Sequence, residues 1–298
     1  MTDSPTMIAE DVKQWTILRL VEWGAEYLQQ RGLDESRLHC ELLLAHVLRM
    51  TRVQLYMHFD RPLTQVELTE FKTLFKRRLT REPLQFILGE TEFMGLPLYV
   101  DSNVLIPRPE TEILVERVMD IVKELWTKPV SILDVGTGSG NIPIALAKSF
   151  PDARIVSVDI SAEALATAQR NLDRHSIMNV ELRCNDILHD FSDHELFDVI
   201  VSNPPYISQA EHGTLAEEVR DFEPTIATTD GGDGFRFIRR LAELSMRNLH
   251  PRGLLALEIG HGQRDAAVDC FQSSGLMDIR VFEDYASIPR IVCGVRAG

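Results

Sequence analysis

Ile132-Leu133-Asp134-Val135-Gly136-Thr137-Gly138-Ser139-Gly140 decides the fold. A β-type apolar run ends in a glycine-rich turn, and Asn141-Ile142-Pro143-Ile144-Ala145-Leu146-Ala147 then opens a helix. Glycines let the backbone come close to a ligand, and a helix N-terminus presents unpaired N–H groups. A dinucleotide site is one reading, but the G-x-G-x-x-G spacing fails, because Asn141 stands where the third glycine belongs. The next strand, Arg154-Ile155-Val156-Ser157-Val158-Asp159, ends in a carboxylate that can accept both hydroxyls of a ribose. A third strand-like segment, Val180-Glu181-Leu182-Arg183-Cys184, leads to Asn185-Asp186-Ile187, where an acid can meet an adenine amino group.

Downstream, the apolar run Phe197-Asp198-Val199-Ile200-Val201-Ser202 ends in Asn203-Pro204-Pro205-Tyr206. This tip suits the gripping of a planar nitrogen. The Asn203 side-chain carbonyl can accept one N–H of an amide or amino group. Each proline fixes its own φ, and Pro205 keeps Pro204 out of the helical region, which holds the Pro204 carbonyl outward for the second N–H. Tyr206 can pack on the flat group. A proline-rich turn without chemistry is the alternative for this motif taken alone.

The glycine loop, the acid ending the second strand and the Asn-Pro-Pro-Tyr ending the fourth resemble, in that order, the class I S-adenosylmethionine-dependent methyltransferases. The resemblance narrows with Leu105-Ile106-Pro107-Arg108-Pro109-Glu110-Thr111-Glu112 before the first core strand and Glu223-Pro224-Thr225 with Gly231-Gly232-Asp233-Gly234 after Tyr206. Glu258-Ile259-Gly260-His261-Gly262-Gln263, Asp284-Tyr285-Ala286 and Pro289-Arg290 complete the set. It is similar to the HemK/PrmC family, the peptide chain release factor glutamine methyltransferases, from about residue 83 to the C-terminus.

The resemblance implies an α/β fold. A seven-stranded Rossmann-like sheet, mostly parallel with its last strand antiparallel, carries a small N-terminal all-helical domain joined by a β-hairpin. The expected division is a helical substrate-docking domain at 1–85, a hairpin linker at 86–108 and an S-adenosylmethionine-dependent methyltransferase domain at 109–298. The residues agree with it. Ile17, Leu20, Val21, Gly24 and Leu28 lie on one helical stripe that Gly32 stops. Asp34 is expected to cap a second helix carrying Leu38, Leu42, Ala45 and Leu48. Thr64 with Glu67 forms a capping-box pattern before Leu68, Phe71, Leu74 and Phe75. Residues 86–106 alternate around Gly89 and Gly95 as a hairpin does. Runs at 278–282 and 288–295 have too little chain between them for a helix and are expected to pair antiparallel.

Composition bounds the function. At 298 residues the chain suits two unequal domains. No run of about 18 apolar residues suggests a membrane span, and the acidic start, Met1-Thr2-Asp3-Ser4-Pro5, lacks the apolar core of a signal peptide. Cys40, Cys184, Cys270 and Cys293 are isolated, as buried thiols of a reducing cytoplasm would be. The nine histidines show no ligand spacing, so no metal site is expected. Net charge is −14, and residues 1–85 balance 12 Lys/Arg against 12 Asp/Glu, so the excess acid lies in residues 86–298, with 19 basic against 33 acidic. A domain that methylates duplex nucleic acid usually carries a basic face, so no direct nucleic-acid partner is expected.

By the same resemblance, Gly136, Thr137, Gly138, Ser139, Gly140 and Asp159 hold S-adenosylmethionine, Asp186 and Ile187 flank its adenine, and Asn203 touches both ligands. Asn203, Pro204, Pro205 and Tyr206 bind the substrate amide, with Asn203, Pro204 and Tyr206 as the catalytic set. The implied reaction methylates the side-chain amide of the glutamine in the Gly-Gly-Gln motif of release factors, in a cytoplasmic, monomeric enzyme. Arg108 and Glu110 either line the site's mouth or form an ordinary helix start around Pro109, which is the preferred reading. Glu258 is either a site residue or a buried hydrogen-bonded acid, and residues 231–234 read as a turn. The alternatives are an amino-methyltransferase acting on adenine in DNA or a base in RNA, a nicotinamide-dependent oxidoreductase, and a non-catalytic cofactor-binding module.

Overall fold

The computed structural model describes residues 14–128, 130–189 and 195–298. The chain divides into two compact units, Met1–Leu88 and Gly89–Gly298. The acidic start at 1–5 lies outside the described residues.

The first unit is all-helical: α1 Ile17–Gln29, α2 Ser36–Leu48, α3 Arg52–Met57, α4 Gln65–Leu79 and α5 Leu84–Leu88. The stripe on α1 is buried as expected. Thr64 and Glu67 make a reciprocal capping box, and so do Thr51 and Gln54. The start of α2 differs from expectation. Its cap is Glu35, in the left-handed region with φ 49°, and no side chain caps the helix, so Asp34 is one residue too early. The buried face of α2 is Cys40, Leu43 and Leu44, whereas Leu38, Leu42 and Leu48 are only half-buried. The apolar residues of α2 surround the helix, so periodicity alone does not choose the face. Phe86, expected in the hairpin, belongs to α5 and packs inward.

The second unit begins with the hairpin, β1 Glu90–Phe93 and β2 Leu96–Tyr99, joined at Met94-Gly95, both at positive φ. That is the primed two-residue turn that strand twist favours. The hairpin is fastened to its own unit. Buried Asn171 accepts from the Tyr99 N–H at 2.7 Å and donates to the Tyr99 and Ser139 carbonyls.

Helices and strands then alternate: α6 Pro109–Leu125, β3 Ser131–Val135, α7 Asn141–Ser149, β4 Arg154–Asp159, α8 Ala162–Arg174, β5 Val180–Cys184 and β6 Phe197–Ser202. Three short helices follow, α9 Gln209–His212, α10 Glu217–Phe222 and α11 Thr225–Thr228. The chain closes with α12 Arg236–Asn248, β7 Leu249–Glu258, α13 Arg264–Ser274, β8 Leu276–Glu283 and β9 Pro289–Arg296. The seven strands β3 to β9 form one sheet in the order β5-β4-β3-β6-β7-β9-β8. β9 alone runs against its neighbours, slotted between β7 and β8.

Alternation along the strands builds two cores. Ile132, Ile155, Val199 and Val201 face α6 and α7, while Leu133, Val156, Ile200 and Leu255 face α12 and α13. Strands covered on both faces read as near-continuous apolar runs, and β6 is buried at every position. The parallel register sets Val135 beside Val158 and beside Ser202. The carboxyl ends of β3, β4 and β6 thus open together at one edge, where β4 departs to one side of β3 and β6 to the other. Open α/β sheets bind ligands at such a switch point.

Candidate active site

A cleft of about 330 Å³ lies at that edge. Its walls include Gly136, Thr137, Gly138, Ser139, Asp159, Asp186, Ile187, Asn203, Pro204 and Pro205. Of the residues singled out in the sequence, Gly140 and Tyr206 do not line it.

Gly140 acts from behind. Its φ is +82°, and a Cβ there would stand 3.3 Å from the Ala168 Cβ, so a side chain would push the glycine turn away from α8. The turn is held by β4: the Val158 carbonyl accepts the Gly136 N–H at 2.8 Å, and Asp159 Oδ2 accepts the Gly138 N–H at 2.9 Å. Asp159 Oδ1 accepts from Ser161 N at 3.0 Å. Burial pushes the Asp159 pKa up, and the N–H groups of Ser161, Gly138 and Ile160 oppose the rise. A carboxylate has about four lone-pair sites, so acceptor capacity is left for a ligand. At Asp186 burial also works upward, but His189 and the Leu188 N–H outweigh it, and its pKa lies below the usual range. Ile187 is buried, and its carbonyl accepts from Arg240.

Ser139 Oγ and Asn185 Oδ1 are buried with no partner in hydrogen-bonding geometry, and Thr137 Oγ1 lies beside the buried Asp134 carboxyl. All three residues line the cleft. Unpaired buried polar atoms are costly, so this wall suits a polar ligand with donors and acceptors of its own. Beneath it, Asp134 at the end of β3 is fully buried, and burial pushes its pKa to about 7 against the nearby Thr137 and Ser157 hydroxyls.

Asn203 sits across the cleft and is held by a buried network. Its Nδ2 donates to Thr111 Oγ1 at 2.9 Å, and the Thr111 hydroxyl donates to Glu258 Oε2 at 2.7 Å. Glu258 Oε1 accepts from the Tyr206 hydroxyl at 3.2 Å. Burial pushes the Glu258 carboxyl up to about 7; Thr111, Tyr206 and Arg290 oppose the rise and Glu110 adds to it. Burial, then the charge of Glu258, likewise raise the Tyr206 phenol. Glu258 is therefore a buried acid bonded to residues of the site, which joins the two readings left open for it. Thr111 belongs to the segment Leu105–Glu112, and nothing in its local sequence marks its role.

The remaining motifs shape the Tyr206 turn. Gln263 Nε2 donates to the Tyr206 carbonyl at 2.8 Å and to that of Gly234 at 3.2 Å, while its Oε1 accepts from Gly260 N at 2.8 Å. A Cβ on Gly234 would fall 2.6 Å from the Tyr206 carbonyl oxygen, so only glycine fits. Arg108 occupies the N-cap position of α6 without a capping side-chain hydrogen bond, and its side chain serves the cleft instead. It precedes Pro109 at the start of α6, and it lines the cleft while pairing with buried Glu223 at 2.5 Å. Glu110 stays in the first helical turn and is absent from the cleft wall. Among the described residues no group of three His, Cys, Asp or Glu is placed to hold a metal ion, and no helix is long and apolar enough to cross a membrane.

The strand order, the cleft at the carboxyl edge and the Asn-Pro-Pro-Tyr beside it define a methyltransferase domain. Residues 110–221 match the family model "Methyltransferase small domain", and residues 19–89 match "PrmC N-terminal domain". A methyltransferase structure from Pyrococcus furiosus shares the fold, with a TM-score of 0.51 at 19% identity, covering 69% of this chain and 91% of its own. The chain is 40% identical over 294 residues to the release factor glutamine methyltransferase of Geobacter sulfurreducens, covering 99% of both. It is 39% identical to that of Chlorobaculum tepidum, covering 93% of this chain and 96% of the relative. It belongs to the release factor glutamine methyltransferase family.

Proposed function

We propose that this chain transfers a methyl group from S-adenosylmethionine to the side-chain amide nitrogen of the glutamine in the Gly-Gly-Gln motif of peptide chain release factors. The observation that carries the reading is the pose of Asn203. With Nδ2 donated to Thr111, the cleft-lining amide keeps Oδ1 as its available acceptor. The Pro204 carbonyl beside it is the second acceptor, so the pair suits a primary amide or amino group with two N–H donors.

The cleft fits S-adenosylmethionine. Gly136, Gly138 and their neighbours Thr137 and Ser139 would hold its amino-acid end, Asp159 the ribose, and Asn185, Asp186 and Ile187 the adenine. Bound there, it supplies an electrophilic methyl group on a sulfonium. This chain's own residues supply alignment. An amide nitrogen is a poor nucleophile because its lone pair is delocalised into the carbonyl. Hydrogen bonds from both N–H groups to Asn203 Oδ1 and the Pro204 carbonyl aim the nitrogen and raise its electron density. As positive charge develops on nitrogen the two acceptors bind it more tightly, which lowers the barrier. The methylated nitrogen loses its proton readily, so no histidine is needed as a base.

On this reading the helical unit, which runs to Leu88 rather than to residue 85, docks the protein substrate, and residues 109–298 carry the reaction. The exposure of Val53 and Met57 on α3, 67% and 71%, supports a docking role for the helical unit. The test offers tritiated S-adenosylmethionine with an intact release factor, a duplex DNA and a ribosomal RNA in parallel. Label on the release-factor glutamine is expected; label on nucleic acid alone overturns the reading in favour of a base amino-methyltransferase.

A further inference from the structure

Thr111 stands between the amide clamp and a buried acid. A threonine hydroxyl has one hydrogen and two acceptor lone pairs. Thr111 commits that hydrogen to Glu258 Oε2, so toward Asn203 its oxygen can only accept. An asparagine facing a pure acceptor must present its NH₂ end. The carbonyl end is then left for the cleft. Were the amide reversed, Oδ1 would meet the Thr111 oxygen, and NH₂ would meet the substrate's own N–H donors.

In its ionised form, which has acceptors only, Glu258 keeps this direction. Both of its partners are hydroxyls that donate to it: Thr111 on Oε2 and Tyr206 on Oε1. One acid therefore orders both ends of the Asn-Pro-Pro-Tyr turn, Asn203 through Thr111 and Tyr206 directly. Each anchor sits on rigid structure, Thr111 in the first turn of α6 and Glu258 at the last position of β7. Thr111 and Glu258 are 1% exposed, so water does not compete for these bonds.

We infer that Thr111 and Glu258 are positioning residues for methyl transfer: the donor chain from Asn203 Nδ2 through Thr111 Oγ1 to Glu258 fixes which end of the Asn203 amide faces the substrate. This rests on the amide-clamp reading above. Glu258 does not line the cleft and Thr111 reaches its wall with only 1% of its surface exposed, so the effect is on turnover through Asn203.

The test compares Thr111→Val, which keeps the shape and removes the hydroxyl, with Thr111→Ser, which restores it. The Val variant is expected to lose turnover on an intact release factor by about tenfold or more, the scale of one lost hydrogen bond plus misorientation. The KM for release factor and the affinity for S-adenosylmethionine should stay within about twofold, and the Ser variant should recover most of the turnover. Turnover of the Val variant within about twofold of wild type, or a Ser variant as slow as the Val variant, overturns the inference. A second readout needs no variant that folds poorly. In protein labelled with ¹⁵N-asparagine, one Asn203 side-chain hydrogen should exchange slowly with solvent, and exchange of both at the free rate overturns the inference. Asn203→Ala separates the two levels. An Ala variant at wild-type turnover removes the clamp itself, whereas an inactive Ala variant beside a fully active Thr111→Val removes only the positioning chain.

Discussion

Glu41 in the helical unit and Glu258 in the sheet unit are both 1% exposed, yet their carboxyl groups are pushed in opposite directions. Glu41 accepts from Arg37 at 3.0 Å, from Arg52 at 2.7 Å and from the Tyr56 hydroxyl at 2.7 Å. Burial works to raise it, but those donors outweigh burial and hold its pKa below the usual range. Glu258 has only the Thr111 and Tyr206 hydroxyls as donors, and burial wins. Two differences act together: Glu41 lies beside the half-exposed Arg37 and Arg52, whose charge favours the ionised form, whereas Glu258 is deeply enclosed with hydroxyl donors. Both acids tie separate elements together. Glu41 ties α3 and its exposed Val53 and Met57 to α2, and Glu258 ties Asn203 and Tyr206 to the cleft. The paired acid is a fixed staple, whereas the hydroxyl-bonded acid titrates near neutrality.

The largest expected effect falls at the end of the Glu258 chain. Asn203→Ala should lower turnover by about 10²–10³, the usual cost of removing one preorganised partner of developing charge, with the thermal midpoint unchanged. Steady-state kinetics on an intact release factor checks it.

The second prediction uses the opposite titrations. A Glu whose folded pKa is raised contributes stability that is full below its unfolded value, about 4.3, and is lost as pH rises through the folded value. For Glu258 that window runs from about 4.3 to about 7. Glu258→Gln should therefore gain up to about 4 kcal/mol relative to wild type between acid and alkaline ends of that window. Glu41 has the reverse sign: its contribution is present above about 4.3 and is lost as pH falls through its lowered pKa. Glu41→Gln should be less stable than wild type at neutral pH, with the gap closing in acid. Urea unfolding of both variants across pH checks the pair, and parallel curves would break the comparison.

Third, Asp159→Ala should weaken S-adenosylmethionine binding by roughly tenfold to a hundredfold, since hydrogen bonds to a charged group are worth about 1.5–3 kcal/mol. Calorimetric titration checks this. The smallest effect belongs to the helical unit. Met57→Asp should raise the KM for an intact release factor about fivefold, in the range of one lost apolar contact, and leave that for a short glutamine peptide unchanged. Equal KM shifts for both substrates would remove α3 from docking.

Much of this was legible because it is local. The glycine turn, Asp159 at a strand end and Asn203-Pro204-Pro205-Tyr206 each occupy a few consecutive residues, and parallel strands bring their ends together. The antiparallel last pair followed from the short chain between the runs. The Glu258 chain was not legible, because Thr111 lies 147 residues from Glu258 and 92 from Asn203, and only the folded sheet joins them. The turn at 231–234 was legible as a turn, but its bracing of Tyr206 together with Gln263 was not, because the two lie on distant loops. The face of α2 failed for a different reason: its apolar residues ring the helix, and packing against α1 and α4 selects among them.

Asn203→Asp is the sharpest probe of the amide clamp. The substitution keeps the size and an acceptor oxygen, but removes the NH₂ that Thr111 holds and adds a negative charge beside the cleft. That charge attracts the cationic sulfonium in the ground state as well as in the transition state. The account predicts that the Asp variant binds S-adenosylmethionine at least as tightly as wild type and methylates an intact release factor far more slowly. Near-wild-type turnover by the Asp variant would contradict it.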